Sequence, residues 1–150
     1  MKSLLQQWQS FLNEGEKSPV VTFDFDDTLL KTRYDEDWGI VEDGPKENII
    51  SQLYTSKANG HTIYIVTSRF QEPRDKHYPA GHPAHRTDVQ AFVSKHSLPV
   101  DGIFFTNGNF KADTLIKLGS IKHFDDDPEE INTIKLKAPE IETVLVPVSW

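Results

Sequence analysis

The chain has 150 residues, no cysteine and a formal net charge of −7. That length suffices for a single domain over residues 1–150 with a real core. The missing thiols exclude disulfides and thiolate metal sites, and no apolar run approaches the ~20 residues that span a bilayer. Net acidity without a Lys/Arg block argues against an extended nucleic-acid track, which needs a basic face to neutralise phosphates. The N-terminus lacks the basic-then-apolar shape of a signal peptide, so the expected compartment is the cytoplasm.

In chain order, Leu4, Leu5, Trp8, Phe11 and Leu12 predict a helix from Ser3 to Asn13, stopped by Gly15. Val20 to Phe25 follows Pro19 as a short apolar run, typical of a strand buried on both faces. A polar stretch spans Lys31 to Gly44. Pro45 then stands where a first helical residue would, and Ile49, Ile50, Leu53 and Tyr54 stripe a helix ending at Asn59-Gly60. Thr62 to Thr67 reads as a second strand, and a Pro-, His- and Gly-rich loop covers about Phe70 to Pro83.

Val89, Phe92, Val93 and His96 mark the next helix face, and Gly102 to Thr106 is a third strand. Ala112, Leu115, Ile116 and Leu118 predict a short helix closed by Gly119, before a short fourth strand from Ile121 to Phe124. Asp127-Pro128-Glu129-Glu130 has the N-cap, N1 proline and acidic first turn of a helix bearing Ile131 and Ile134. Ile141 to Val148 closes as a fifth strand. Strands alternating with helices predict a Rossmann-like α/β/α sandwich around a mostly parallel five-stranded sheet.

Ligands of open parallel sheets bind beyond the carboxyl ends of the strands. Those ends carry Asp24, Asp26, Asp27 and Thr28, then Thr67, Ser68 and Arg69, then Thr106, Asn107 and the helix-start Lys111, and finally Asp125, Asp126 and Asp127. Clustered carboxylates repel one another unless a cation or protons offset them, and magnesium prefers oxygen ligands of this kind. The set suits phosphoryl transfer. One carboxylate can attack phosphorus, a second can move the proton, and hydroxyls and cations can hold the phosphoryl oxygens.

Phe23-Asp24-Phe25-Asp26-Asp27-Thr28 after an apolar strand resembles the first motif, Asp-x-Asp-x-Thr, of the haloacid dehalogenase superfamily. Ile65-Val66-Thr67 resembles its second motif, Lys111 is placed like its third, and Phe124-Asp125-Asp126 is similar to its acidic fourth. The resemblance implies a magnesium-dependent phosphomonoester hydrolase working through an aspartyl-phosphate. Asp24 would be the nucleophile and a metal ligand, and Asp26 the general acid/base that also gives the metal its backbone carbonyl. Thr67 and Lys111 would hold the phosphoryl group, with Thr28, Ser68 and Arg69 completing the phosphate-binding set. Asp125 would be a further metal ligand, and Asp126 would act directly, through water, or by orienting Lys111. Asp27 departs from the family, where glycine is frequent; its side chain would alter the turn or point to solvent.

The gaps between motifs are too short for a full cap domain, so an open site with small flaps is expected. Thr67-Ser68-Arg69, followed by Pro73, Arg74, Tyr78 and Arg86, resembles the phosphatase half of polynucleotide kinases. The implied substrate is a phosphorylated nucleic-acid end or a nucleotide, with a sugar or other metabolite phosphate as the alternative. A receiver-like signalling module or a non-catalytic phosphate-binding module is the non-enzymatic alternative. Receivers, however, carry the phosphorylated Asp after strand three, where this chain has Thr106-Asn107. Asp127 reads as a helix N-cap and His77, His82 and His85 as loop residues rather than a zinc site. Tyr34 and Trp38 read as packing residues, or as a flap that stacks on substrate. Trp8 and Phe11 read as core or docking residues.

Overall fold

Strand β1 (Val20–Phe23) sends Val21 and Phe23 to one face and Thr22 to the other, and all three are buried. Such a strand has to lie in the middle of a covered sheet, and it does. In the computed structural model, whose described residues are 4, 18–72 and 78–149, β1 pairs in parallel with β4 (Thr62–Thr67) and β6 (Ser120–Asp125). The edges are β5 (Gly102–Phe105) and β7 (Glu142–Leu145), in the order β5-β4-β1-β6-β7. Every pair in this sheet is parallel.

Two apolar layers cover the sheet. On one face Ile49, Ile50 and Leu53 of α1 (Glu47–Ala58) and Val89, Phe92 and Val93 of α2 (Val89–Lys95) pack with Val21, Phe23, Ile63, Ile65 and Phe124. The Phe23 and Phe124 rings stack at 4.5 Å, tying β1 to β6. On the other face Ala112 and Leu115 of α3 (Ala112–Leu118) and Ile134 of α4 (Pro128–Lys137) pack on Val66. The three-layer α/β/α sandwich is the architecture expected from the alternating elements. Asp127 caps α4, its carboxylate accepting from the Glu129 amide at 2.9 Å, with Pro128 in the first turn. Gly119 ends α3 at φ +73°, a left-handed cap that favours glycine.

Two expectations are corrected. The polar stretch after residue 30 is an antiparallel hairpin, β2 (Leu30–Asp35) and β3 (Gly39–Pro45). Pro45 therefore ends a strand, opposite Leu30, and α1 begins only at Glu47. This ribbon stands outside the five-stranded sheet and is braced partly by charge, with Asp43 3.8 Å from Lys31 and 3.7 Å from Arg33. Proline, which lacks an N–H, is tolerated at such a strand end. The last strand is shorter than expected and stops at Leu145. The predicted helix with Trp8 and Phe11 lies outside the described residues apart from Leu4, as do Pro73, Arg74 and His77. Among the described residues no helix is long and apolar enough to cross a membrane.

Candidate active site

Asp24 follows β1 directly, its amide donating to Phe124 O at 2.8 Å, which carries the strand's direction one residue further. Its carboxylate is held at both oxygens. Lys111 Nζ donates to Oδ1 at 2.8 Å and Thr28 Oγ1 donates to Oδ2 at 3.0 Å. Lys111 is almost fully buried at the N-terminus of α3, where its amide donates to Glu130 Oε2 of α4 at 3.0 Å. Its ammonium also donates to Asp125 Oδ2 at 2.6 Å. The charges of Asp24 and Asp125 hold the Lys111 ammonium well above the usual lysine range, overcoming the opposing effect of burial. Lys117, by contrast, is exposed on the same helix.

Asp125 ends β6. Burial alone would raise its carboxyl, but the hydrogen bond from His123 and the charge of Lys111 outweigh burial and hold it below the usual range. His123 Nε2 lies 2.9 Å from Asp125 Oδ2, and its Nδ1 lies 2.8 Å from Thr22 Oγ1. Thr22 in turn meets Ser120 Oγ at 2.8 Å. Beside these, Asp126 has its carboxyl pushed up to about 8 by burial, by its hydrogen bond to Asp24, and by the charges of Asp24, Asp125 and Asp27. Burial likewise raises Asp24, joined by the Asp125 charge and opposed by Lys111. One carboxylate oxygen from each of Asp24, Asp125 and Asp126 lies within 4.8 Å of the others.

Asp26 sits across from this cluster. Both of its oxygens accept from Arg69, Oδ2 from Nε at 2.8 Å and Oδ1 from Nη2 at 2.6 Å. Arg69 also donates from Nη1 to Thr87 O at 2.7 Å, approaches Glu42 Oε2 at 3.6 Å, and lies over the Phe25 ring at 4.9 Å. The guanidinium is thus engaged by the protein on every edge. Arg86 adds a nitrogen 3.6 Å from Asp26 Oδ2. Thr67 is buried, its hydroxyl accepting from the Arg69 amide at 3.2 Å, while Ser68 is exposed on the same turn.

Asp27 does not point to solvent, one of the two expectations for its side chain. It has φ +56°, the left-handed conformation that glycine adopts freely and Asp tolerates. Instead of pointing to solvent it is buried and accepts from Thr32 Oγ1 at 2.9 Å and Ser149 Oγ at 3.0 Å. Lys46 clamps the same turn, donating to Asp27 O at 2.9 Å and Pro147 O at 2.5 Å. His82 and His85 make loop contacts, to the Ala84 amide and to Tyr78 O. Sequence reasoning passed over His123, Glu42, Thr87 and Lys46. For His123 a signal existed, since it precedes Asp125 by two on a strand and so shares its side. For Glu42 and Thr87 none did, because their meeting depends on how a hairpin and a loop fold together.

Comparison with known proteins finds no matching family model and no matching curated protein. Among solved structures, the chain is similar to one from the Pnkp1/Rnl/Hen1 RNA repair complex, at 13% identity and a TM-score of 0.63 over 89% of this chain and 43% of that one. It therefore spans less than half the length of that protein. It is also similar to a probable YrbI family phosphatase from Pseudomonas syringae pv. phaseolica 1448a, at 16% identity and a TM-score of 0.51 over 94% of this chain and 74% of that one. A third likeness is to 3-deoxy-D-manno-octulosonate 8-phosphate phosphatase from Moraxella catarrhalis, solved with magnesium and phosphate ions, at 14% identity and a TM-score of 0.50 over 94% and 75% of the two chains. At 13 to 16% identity these likenesses establish the fold alone, an α/β/α sandwich around a parallel five-stranded sheet.

Proposed function

We propose that this chain is a magnesium-dependent phosphomonoester hydrolase, with Asp24 as nucleophile and Asp26 as general acid/base. The observation that carries the reading is the Asp24 carboxylate, buried at a strand end and fixed by Lys111 and Thr28 beside Asp125 and Asp126. The donor set fits a hard divalent cation. It consists of carboxylate oxygens, two of them on buried side chains and the third on the half-buried Asp126, whose carboxyl is pushed up to about 8, by burial first and then by Asp24 and Asp125. Asp24, Asp125 and Asp126, with the Asp26 backbone carbonyl, would hold magnesium. Once bound, the ion would draw negative charge from the phosphoryl oxygens.

In the first step the Asp24 carboxylate forms a bond to phosphorus while the bond to the leaving oxygen breaks. Asp26 gives that oxygen its proton. In the second step Asp26 takes a proton from the attacking water, the bond between Asp24 and phosphorus breaks, and inorganic phosphate leaves. Lys111 and the Thr67 hydroxyl offset the charge on the transferred group. Both Asp26 oxygens now accept from Arg69, so that pair has to open before Asp26 can face a leaving oxygen. An opened Arg69 is then available to phosphate.

The substrate class is a phosphate on a nucleic-acid end or on a nucleotide. The Thr67-Ser68-Arg69 resemblance to polynucleotide phosphatases supports it, as does the shared fold with a member of an RNA repair complex. The inserts around the site also support it, being a two-stranded hairpin and a loop rather than a cap. Asp24→Asn should lower turnover of an aryl phosphate by about a thousandfold or more with an unchanged circular dichroism spectrum. A chelator should abolish wild-type activity and magnesium restore it. Ordinary turnover by Asp24→Asn sinks the nucleophile assignment, and activity that persists in chelator sinks the metal.

A further inference from the structure

The reaction uses the inner end of a cavity and leaves its outer wall without a role. This cavity, about 460 Å³, runs from Asp26 and Asp126 along the β2–β3 hairpin, which contributes Thr32, Ile40 and Glu42 to its lining. Its volume lies in the range of small-ligand sites. Across the hairpin Thr32 pairs with Glu42 and Tyr34 with Ile40. Residues directly opposite in an antiparallel pair share a face, so the lining face is graded along its length. Near Asp26 it is polar, and further out it carries Ile40 and Tyr34, which are 56% and 63% exposed. Beyond them Trp38 closes the hairpin against the loop, meeting Tyr78 at 5.7 Å and His82 at 4.7 Å between ring centres.

The polar groups of this wall are already engaged. Glu42 accepts from the amide and hydroxyl of Thr87, and the Thr32 hydroxyl donates to Asp27. Ile40 offers a polyol leaving group no hydrogen-bond partner, and Thr32 and Glu42 are already bonded to protein. A flat ring with an apolar face has no such difficulty, and bases stack on aromatic side chains largely regardless of sequence. In the proposed reaction Asp26 protonates the leaving oxygen, so the group that leaves lies on the Asp26 side of the site, along this wall.

We propose that Tyr34 and Ile40 form the leaving-group subsite, and that it takes a nucleobase, whether of a free nucleotide or of the terminal residue of a strand. The inference rests on the phosphatase reading for the direction of the leaving group. Its test reads binding instead of turnover. In an Asp24→Asn background with magnesium, a nucleoside monophosphate, a short single-stranded oligonucleotide with a terminal phosphate, and ribose 5-phosphate are titrated by calorimetry. The two base-bearing ligands should bind about tenfold or more tighter than ribose 5-phosphate, the scale of one stacked base. Tyr34→Ala/Ile40→Ser, at two exposed positions, should remove that difference and leave ribose 5-phosphate binding unchanged.

A tighter oligonucleotide identifies a strand end as the source, and equal binding identifies the free nucleotide; both uphold the subsite. Ribose 5-phosphate binding as tightly as the nucleotide, a preference that survives the double variant, or no nucleotide binding at all overturns it. A base preference that depends on Tyr34 and Ile40 in a chain that hydrolyses no phosphoester would instead overturn the phosphatase reading and leave the subsite standing.

Discussion

Around Asp24 three carboxylates converge within 4.8 Å, and Lys111 reaches two of them directly, Asp24 and Asp125. Asp126 receives the least compensation, and its carboxyl moves from 3.8 to about 8 through burial, the hydrogen bond to Asp24 and the neighbouring acids. Between those two values the folded chain holds a proton that the unfolded chain has released. Stability of the cation-free protein therefore falls as pH rises through that window. Cation binding demands the carboxylate, so affinity for magnesium should climb with pH up to about 8, with proton release on binding. Calorimetry between about pH 6 and pH 9 checks this, and an affinity that ignores pH would contradict it. At this scale the acids, Thr67 and Lys111 were legible, because an acid-rich strand end and a helix-start lysine are sequence patterns. The inward turn of Asp27 was not: glycine's frequency at this place in the resembling family hints at left-handed backbone, but nothing in the sequence says where the carboxylate goes.

Strand pairing does more than set these acids side by side. Thr22 and His123 are partners across β1 and β6, each two residues before an acid of the site, so parity puts all four side chains on one side. The resulting line, Ser120 to Thr22 to His123 to Asp125, is buried and hydrogen-bonded throughout. If Asp125 holds the proposed magnesium, His123 is its outer partner, and loss of such partners weakens metal binding about 10–100-fold. His123→Gln should reduce magnesium affinity on that scale in a titration, with Thr22→Val showing a smaller loss. Full affinity in His123→Gln would remove it from this role. The parallel strands and their helices could be read in advance because burial on two faces writes continuous apolar runs. The hairpin could not, because a ribbon braced by Lys31, Arg33 and Asp43 has no apolar alternation to read.

Across the whole molecule, the order β5-β4-β1-β6-β7 brings the carboxyl ends of β1, β4 and β6 together, and the loop after β5 delivers Lys111 to the same place. Four segments far apart in sequence thereby supply Asp24 and Asp26, Thr67 and Arg69, the buried Lys111, and Asp125 with Asp126. The hairpin and the loop bearing Thr87 are joined over this site through Glu42 and Arg69. They form one wall of the cavity beside Asp26. In the proposed reaction phosphate passes through Asp24. Asp26→Asn keeps that nucleophile and removes the base for the second step, so a phosphorylated protein should accumulate when the variant turns over an aryl phosphate. Acid quenching followed by peptide mass spectrometry should find the phosphoryl group on Asp24, close to one per chain. A phosphoryl group on any other residue, or steady turnover with none bound to the protein, would contradict the account.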